Sequence, residues 1–114
     1  VQEERQQIAE EIDMLSAALA DYGIAFFDLE KVAPRQKRSR QLCAQLAHTI
    51  LGDADMLDSL RRTKRLPARQ LADKSGQSLK TLDKHRRYIM ALVVILSGDY
   101  PSIQTFIPRE EVSR

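Results

Sequence analysis

The chain has no tryptophan, a single cysteine, and only four glycines and four prolines in 114 residues; 5% of it is aromatic. Each scarcity excludes something. One cysteine, Cys43, cannot form an internal disulfide, which fits a reducing, cytoplasmic setting. Its neighbours Leu42, Ala44 and Leu46 mark it as a packed thiol rather than a nucleophile. No glycine-rich phosphate loop, serine elbow or cysteine pair exists. No apolar run approaches the roughly 20 residues needed to span a bilayer. The longest, Ile89 to Leu96, reads as a buried helix segment, so no membrane insertion is expected. The start, VQEERQQ, lacks the basic-then-apolar order of a signal peptide. His48 and His85 lie far apart without ligand spacing, so no metal site is expected. Glu3-Glu4 and Glu10-Glu11 read as a wet helix face, since nothing nearby separates their pKa values. No enzyme, cofactor or small-molecule substrate is expected.

What remains is helix-forming and charged. The apolar content is mostly Leu, Ile and Ala, which favours helices. Net charge is only +2, but the charge is segregated. Val1 to Glu30 holds eight acids and one base, Arg5, whereas Lys31 to Arg114 holds 17 bases and eight acids. An acidic opening followed by a basic body implies two surfaces with different partners.

Helical spacing of Ile8, Ile12, Leu15, Leu19 and Tyr22 predicts an amphipathic helix over about residues 2 to 22, stopped by Gly23. Ile24, Phe26, Phe27 and Leu29 form a short apolar anchor. Leu42, Leu46 and Ile50 mark a helix over about 36 to 51, and Asp53 is placed to cap the next, from Ala54 to about Arg62. Arg61 to Arg65 is a basic linker. Leu66-Pro67 opens a helix ending near Lys74, with Pro67 in its first turn. A last long helix is predicted from Ser78 to about Ser97, before Gly98, and a final short one around Ile103, Phe106 and Ile107. No strand-like alternation, repeat or low-complexity stretch appears. The expected fold is an all-α compact helical bundle, one domain over 1–114. Its core would contain Ile12, Leu15, Leu19, Leu46, Ile50, Leu71, Leu82, Ile89, Leu92 and Val93.

The stretch LPARQLADKSGQSLKTLDKHRRY, Leu66 to Tyr88, carries the functional signal. It reads as a helix, a tight turn at Ser75-Gly76-Gln77 and a second helix rich in cations. That is the pattern of a helix-turn-helix, here over about 67–97, which places one helix in the major groove of DNA. Ala72 is small where the helices cross, Gly76 tolerates positive φ, and Leu82 anchors the second helix inward. With Leu82 inside, Ser78, Leu79, Lys80, Asp83, Lys84 and Arg87 face out on the half that reaches base edges. Lys84 and Arg87 can donate to guanine or phosphate, Asp83 can accept from cytosine or form a salt bridge, and Leu79 can touch a thymine methyl. Lys64, Arg65 and Arg69 suit phosphate contacts that fix register. His85 is either a phosphate donor or solvated, and Lys37, Arg38 and Arg40 read as a solvated cluster.

The pattern alone leaves three functions open: a promoter-recognition domain, a small dimeric helix-turn-helix regulator, or a helical interaction module. LADYGIAFFDLEKVAPR and KRLPARQLADKSGQSLKTLDKHRRYIMALVVILSGDY resemble the C-terminal domain of the sigma-I group of RNA polymerase sigma factors. The resemblance rests on Asp21-Tyr22-Gly23 with Phe26 to Leu29, Ala33-Pro34, Leu66-Pro67, Ser78 with Lys80-Thr81, and Arg86 with Tyr88-Ile89 leading to Gly98-Asp99-Tyr100. It runs from about Glu10 to Ile107. It implies recognition of the −35 promoter element when bound to core RNA polymerase, and inhibition by the cytoplasmic N-terminal domain of a membrane-anchored anti-sigma factor. Residues 1–11 would then be the end of an interdomain linker. Two positions depart from the family pattern: Gln77 replaces an apolar residue and Leu79 a basic one.

Overall fold

The computed structural model describes residues 2–105 and 107, and these form an all-α bundle. Its helices are α1 (Gln2–Ala20), α2 (Leu29–Val32, entered through a 3-10 turn at Phe26–Asp28), α3 (Lys37–Leu51), α4 (Ala54–Thr63), α5 (Ala68–Ser75), α6 (Leu79–Lys84), α7 (Arg86–Ser97) and α8 (Pro101–Gln104). Helix α7 is the centre. Seven successive residues, Ile89 to Ile95, are buried, because α3 lies along it and α1, α2 and α8 close its other sides. A helix apolar all round requires such enclosure.

Local chemistry explains most helix ends. Gly23, at φ 73°, ends α1 in a Schellman arrangement: the Ile24 amide donates to the Leu19 carbonyl at 3.1 Å and the Gly23 amide to Ala20 at 3.0 Å. Ile24 and Leu19 are both buried, the apolar contact that accompanies this motif. Asp53 caps α4 by accepting from the Met56 amide at 3.1 Å, and its other oxygen takes Lys74 at 2.7 Å, tying α4 to α5. Pro67 sits one residue before α5, as its N-cap rather than within its first turn.

The core holds Leu15, Leu19, Leu46, Ile50, Leu71, Leu82, Ile89, Leu92 and Val93 as expected, with Met56 and Leu60 of α4 and Cys43 of α3. Burial raises the Cys43 thiol to about 11, so it stays protonated and inert at neutral pH.

Four further expectations change. Ile12 is only half-buried, and the neighbouring Glu11 occupies the covered position instead, 5% exposed. Glu11 is therefore no part of a wet face. Its carboxylate accepts from the Ile103 amide at 3.1 Å and the Ser102 amide at 3.2 Å, the free donors at the start of α8, and from Gln7 Nε2 at 3.0 Å. Burial pushes its pKa up, but these donors outweigh it and hold the pKa below the ordinary value. Second, Arg40 is structural: its guanidinium donates to the carbonyls of Pro34 and Arg35, at 3.1 and 2.6 Å, fixing the turn before α3. Third, the final helix is Pro101–Gln104; Ile107 packs against the core, and Phe106 lies outside the described residues.

The fourth change bears on function. The single helix expected from Ser78 to Ser97 is broken at His85, whose φ of −108° and ψ of 16° leave the helical region. Lys80 and Lys84 lie four residues apart and Lys84 and Arg87 three apart, so a continuous helix would stack like charges on one stripe. His85 adds a weak helix former at the junction.

Candidate nucleic-acid interface

Helices α5 and α6 meet through a short turn whose every member is fixed. Gly76 closes α5 at φ 80°, its amide donating to Ala72 at 2.9 Å. No heavy atom lies within 4 Å of where a Cβ would stand, so backbone conformation alone favours glycine there. Ser75 Oγ donates to the Leu71 carbonyl at 2.6 Å and accepts from the Gln77 amide at 3.2 Å. Gln77 is half-buried, and the Ser75 hydroxyl satisfies its backbone where an apolar anchor is usual. Ser78 then caps α6. Its Oγ accepts from the Thr81 amide at 3.1 Å and donates to Thr81 Oγ1 at 3.0 Å, and its carbonyl accepts from the Leu82 amide. Leu82 is fully buried and Ala72 packs against the core, so α6 is pinned from within.

The outward residues divide into two groups. Ser78, Leu79, Lys80 and Lys84 are exposed on the open face of α6. Leu79 is 48% exposed, a large apolar side chain in the first turn that the core leaves largely uncovered. Arg69 is exposed on α5. By contrast, Lys64, Arg65, Asp83 and Arg87 line a cleft of about 600 Å³ together with Tyr22, Ile24, Leu66, Arg86 and Met90. Sequence reasoning did not single out Tyr22 or Arg86 as site residues. The cleft joins three separate stretches of chain, and no local spacing reveals it.

Two features order the cations of this cleft. Lys64 ends α4 in the left-handed region, φ 61°, and its Nζ lies 4.5 Å from the centre of the Tyr22 ring. It is the one non-glycine residue with positive φ among the described residues. Arg86 pairs with Asp83 at 3.5 Å, so Asp83 takes the salt-bridge role left open by the sequence. His85, at the helix break, has its pKa lowered by burial and then by Lys84, so it is a neutral imidazole at pH 7 and adds no cation.

Among the described residues no group of three His, Cys, Asp or Glu side chains is placed to hold a metal ion, and no helix is long and apolar enough to cross a membrane. His48 Nε2 is buried without a hydrogen-bond partner among those residues; nothing in its surroundings explains this.

No family model matches the chain. It is 33% identical over 98 residues to RNA polymerase sigma factor SigI of Bacillus anthracis, covering 86% of this chain and 41% of that protein. It is 32% identical over 104 residues to SigI of Bacillus subtilis, covering 91% and 41%. Against SigI1 of Acetivibrio thermocellus the identity is 36% over 90 residues, covering 79% and 35%. The chain thus spans about two-fifths of the length of the curated relatives it matches. The chain, an all-α bundle with a capped helix pair at Ala68–Lys84, matches part of several SigI-type RNA polymerase sigma factors over most of its own length.

Proposed function

We propose that the chain is the C-terminal, promoter-recognition domain of a SigI-type factor, reading the −35 element by inserting α6 into the major groove. The observation that carries this reading is the state of α6. It is capped at Ser78, anchored by Leu82, and presents Leu79, Lys80 and Lys84 to solvent on its outer face. A six-residue helix held so firmly at its base is suited to projecting side chains toward base edges. Lys84 and Lys80 serve guanine or phosphate, Leu79 meets a thymine methyl, and Arg69 on α5 meets the backbone. In this reading the partners are promoter DNA and core RNA polymerase. A membrane-anchored anti-sigma factor regulates the domain through its cytoplasmic N-terminal part, by blocking access to α6. The first residues of α1 are exposed as far as Glu10, which supports reading that stretch as the end of an interdomain linker.

Transcription by core polymerase with the full-length factor tests this. Lys84→Ala should lower use of the cognate promoter and relax preference at one base pair, a loss of about 1–3 kcal/mol in discrimination. Unchanged promoter use, with the fold intact, would remove α6 from the groove and favour a protein-interaction role for the bundle.

A further inference from the structure

We infer that the cleft beside α6 is a sugar–phosphate cradle, in which Arg86 and Arg87 join Lys64 and Arg65 in gripping the DNA backbone while the open face of α6 reads bases. This rests on the promoter-recognition reading and redistributes its residues. Asp83, near the end of α6, and Arg86, Arg87 and Met90, in the first turns of α7, all line the cleft. Lys80 and Lys84 do not line it. Arg87 therefore belongs with Lys64 and Arg65 across the cleft, not with the base-facing lysines.

The chemistry of the cleft fits a phosphodiester strand. Its floor is apolar, from the buried Ile24 and Met90 with the half-buried Leu66, and suits a deoxyribose face. Its rim carries four cations against one carboxylate, and that carboxylate is already paired with Arg86. An apolar wall beside the cations weakens solvent screening and strengthens their attraction for an anion. Tyr22 is a positioning residue. Its ring holds the Lys64 ammonium from one side, and the left-handed backbone at Lys64 fixes the stem from the other. A lysine ordered before binding loses less side-chain freedom when it meets a phosphate.

The test uses the 114-residue chain in about 50 mM salt, at concentrations up to about 100 μM so that weak binding is seen. A random 20-base-pair duplex library is first enriched on the wild-type chain. Affinity is then measured for the enriched duplex and a scrambled duplex as salt is raised. Arg86→Ala and Arg87→Ala should each weaken both duplexes alike, leave the enriched motif unchanged, and flatten the salt slope by about one unit. Tyr22→Leu should weaken binding, Tyr22→Phe should not, and Tyr22→Leu added to Lys64→Ala should cost nothing further. An Arg87→Ala chain that enriches a different motif overturns the cradle, because Arg87 then reads a base. Wild-type affinity and salt slope in both arginine variants also overturn it and leave the cleft to another anionic occupant, such as an acidic peptide. Failure of the wild-type chain to bind any duplex overturns the promoter-recognition reading itself.

Discussion

Replacing Ser78 by alanine separates the stability of α6 from its use. Four amides at the start of a helix lack intrahelical partners, and in α6 these belong to Ser78, Leu79, Lys80 and Thr81. Ser78 supplies two acceptors, its Oγ to Thr81 and its carbonyl to Leu82; alanine keeps the second and loses the first. It also loses the hydroxyl bond to Thr81 Oγ1. Thr81 is half-buried, so water replaces the lost acceptor only in part. The expected cost is about 1 kcal/mol, with a few tenths for Ser78→Gly. For a chain of this size that lowers Tm by about 4 °C. Ser78→Asp restores the cap and should restore Tm. It also places a carboxylate on the face proposed to meet DNA, so it should bind duplex DNA more weakly than wild type, most of all at low salt. Thermal denaturation followed by circular dichroism, alongside anisotropy with labelled duplex, reads both effects. Equal Tm values for Ser78→Ala and wild type would show that Leu82 alone holds α6. Wild-type DNA affinity in Ser78→Asp would show that the start of α6 does not approach the backbone.

Gly76→Ala should cost about 1–2 kcal/mol, measured by chemical denaturation, because the left-handed backbone is strained for alanine while space for the methyl is open; an unchanged midpoint would contradict the conformational account. Glu11 should make stability depend on acid. With its pKa held below the ordinary 4.5, its contribution is complete above that pH and fades as pH falls through the depressed value. Glu11→Gln should therefore flatten the acid limb of a pH–stability curve, and identical limbs in the two proteins would place α8 under other control.

The features legible in sequence are those whose physics is local. The caps made by Gly23, Asp53, Gly76 and Ser78 each act within five residues along the chain, so residue type and spacing suffice to place them. The buried run of α7 announces itself by composition. Glu11 was misread because its partners, the amides of Ser102 and Ile103, lie about ninety residues away. Spacing along α1 cannot report a helix start brought to it by the fold. Arg40 failed differently: a cation near Lys37 and Arg38 looks solvated until the two carbonyls that it ties are seen to face it. The nine proposed DNA-binding residues were legible as exposed polar, basic or apolar side chains around a helix pair. Their division between open face and cleft was not, because the cleft needs Tyr22 and Ile24 from the turn after α1, Lys64 to Leu66 from the connection between α4 and α5, and Asp83, Arg86, Arg87 and Met90 from the α6–α7 junction.

The break at His85 is what permits one stretch of sequence to serve two incompatible surroundings. A straight helix from Leu79 to Ser97 would run about 28 Å on one axis. Its far half, Ile89 to Ile95, is enclosed on all sides by α1, α2, α3 and α8. Its near half has to stay open on the outer face, with only α5 packed extensively against it. Hydrophobic burial fixes the axis of α7, and on a continuous helix that same axis would dictate where Lys80 and Lys84 point. At His85 the backbone leaves helical geometry, although its amide still donates to Thr81 and its carbonyl accepts from Ile89, and α6 is held from within by Leu82 and the Ser78 cap. Burial and then Lys84 lower the pKa of His85, so the joint adds little charge to the cations on either side of it. The deviation from helical geometry therefore falls between the enclosed run of α7 and the open face of α6 that is proposed to meet DNA.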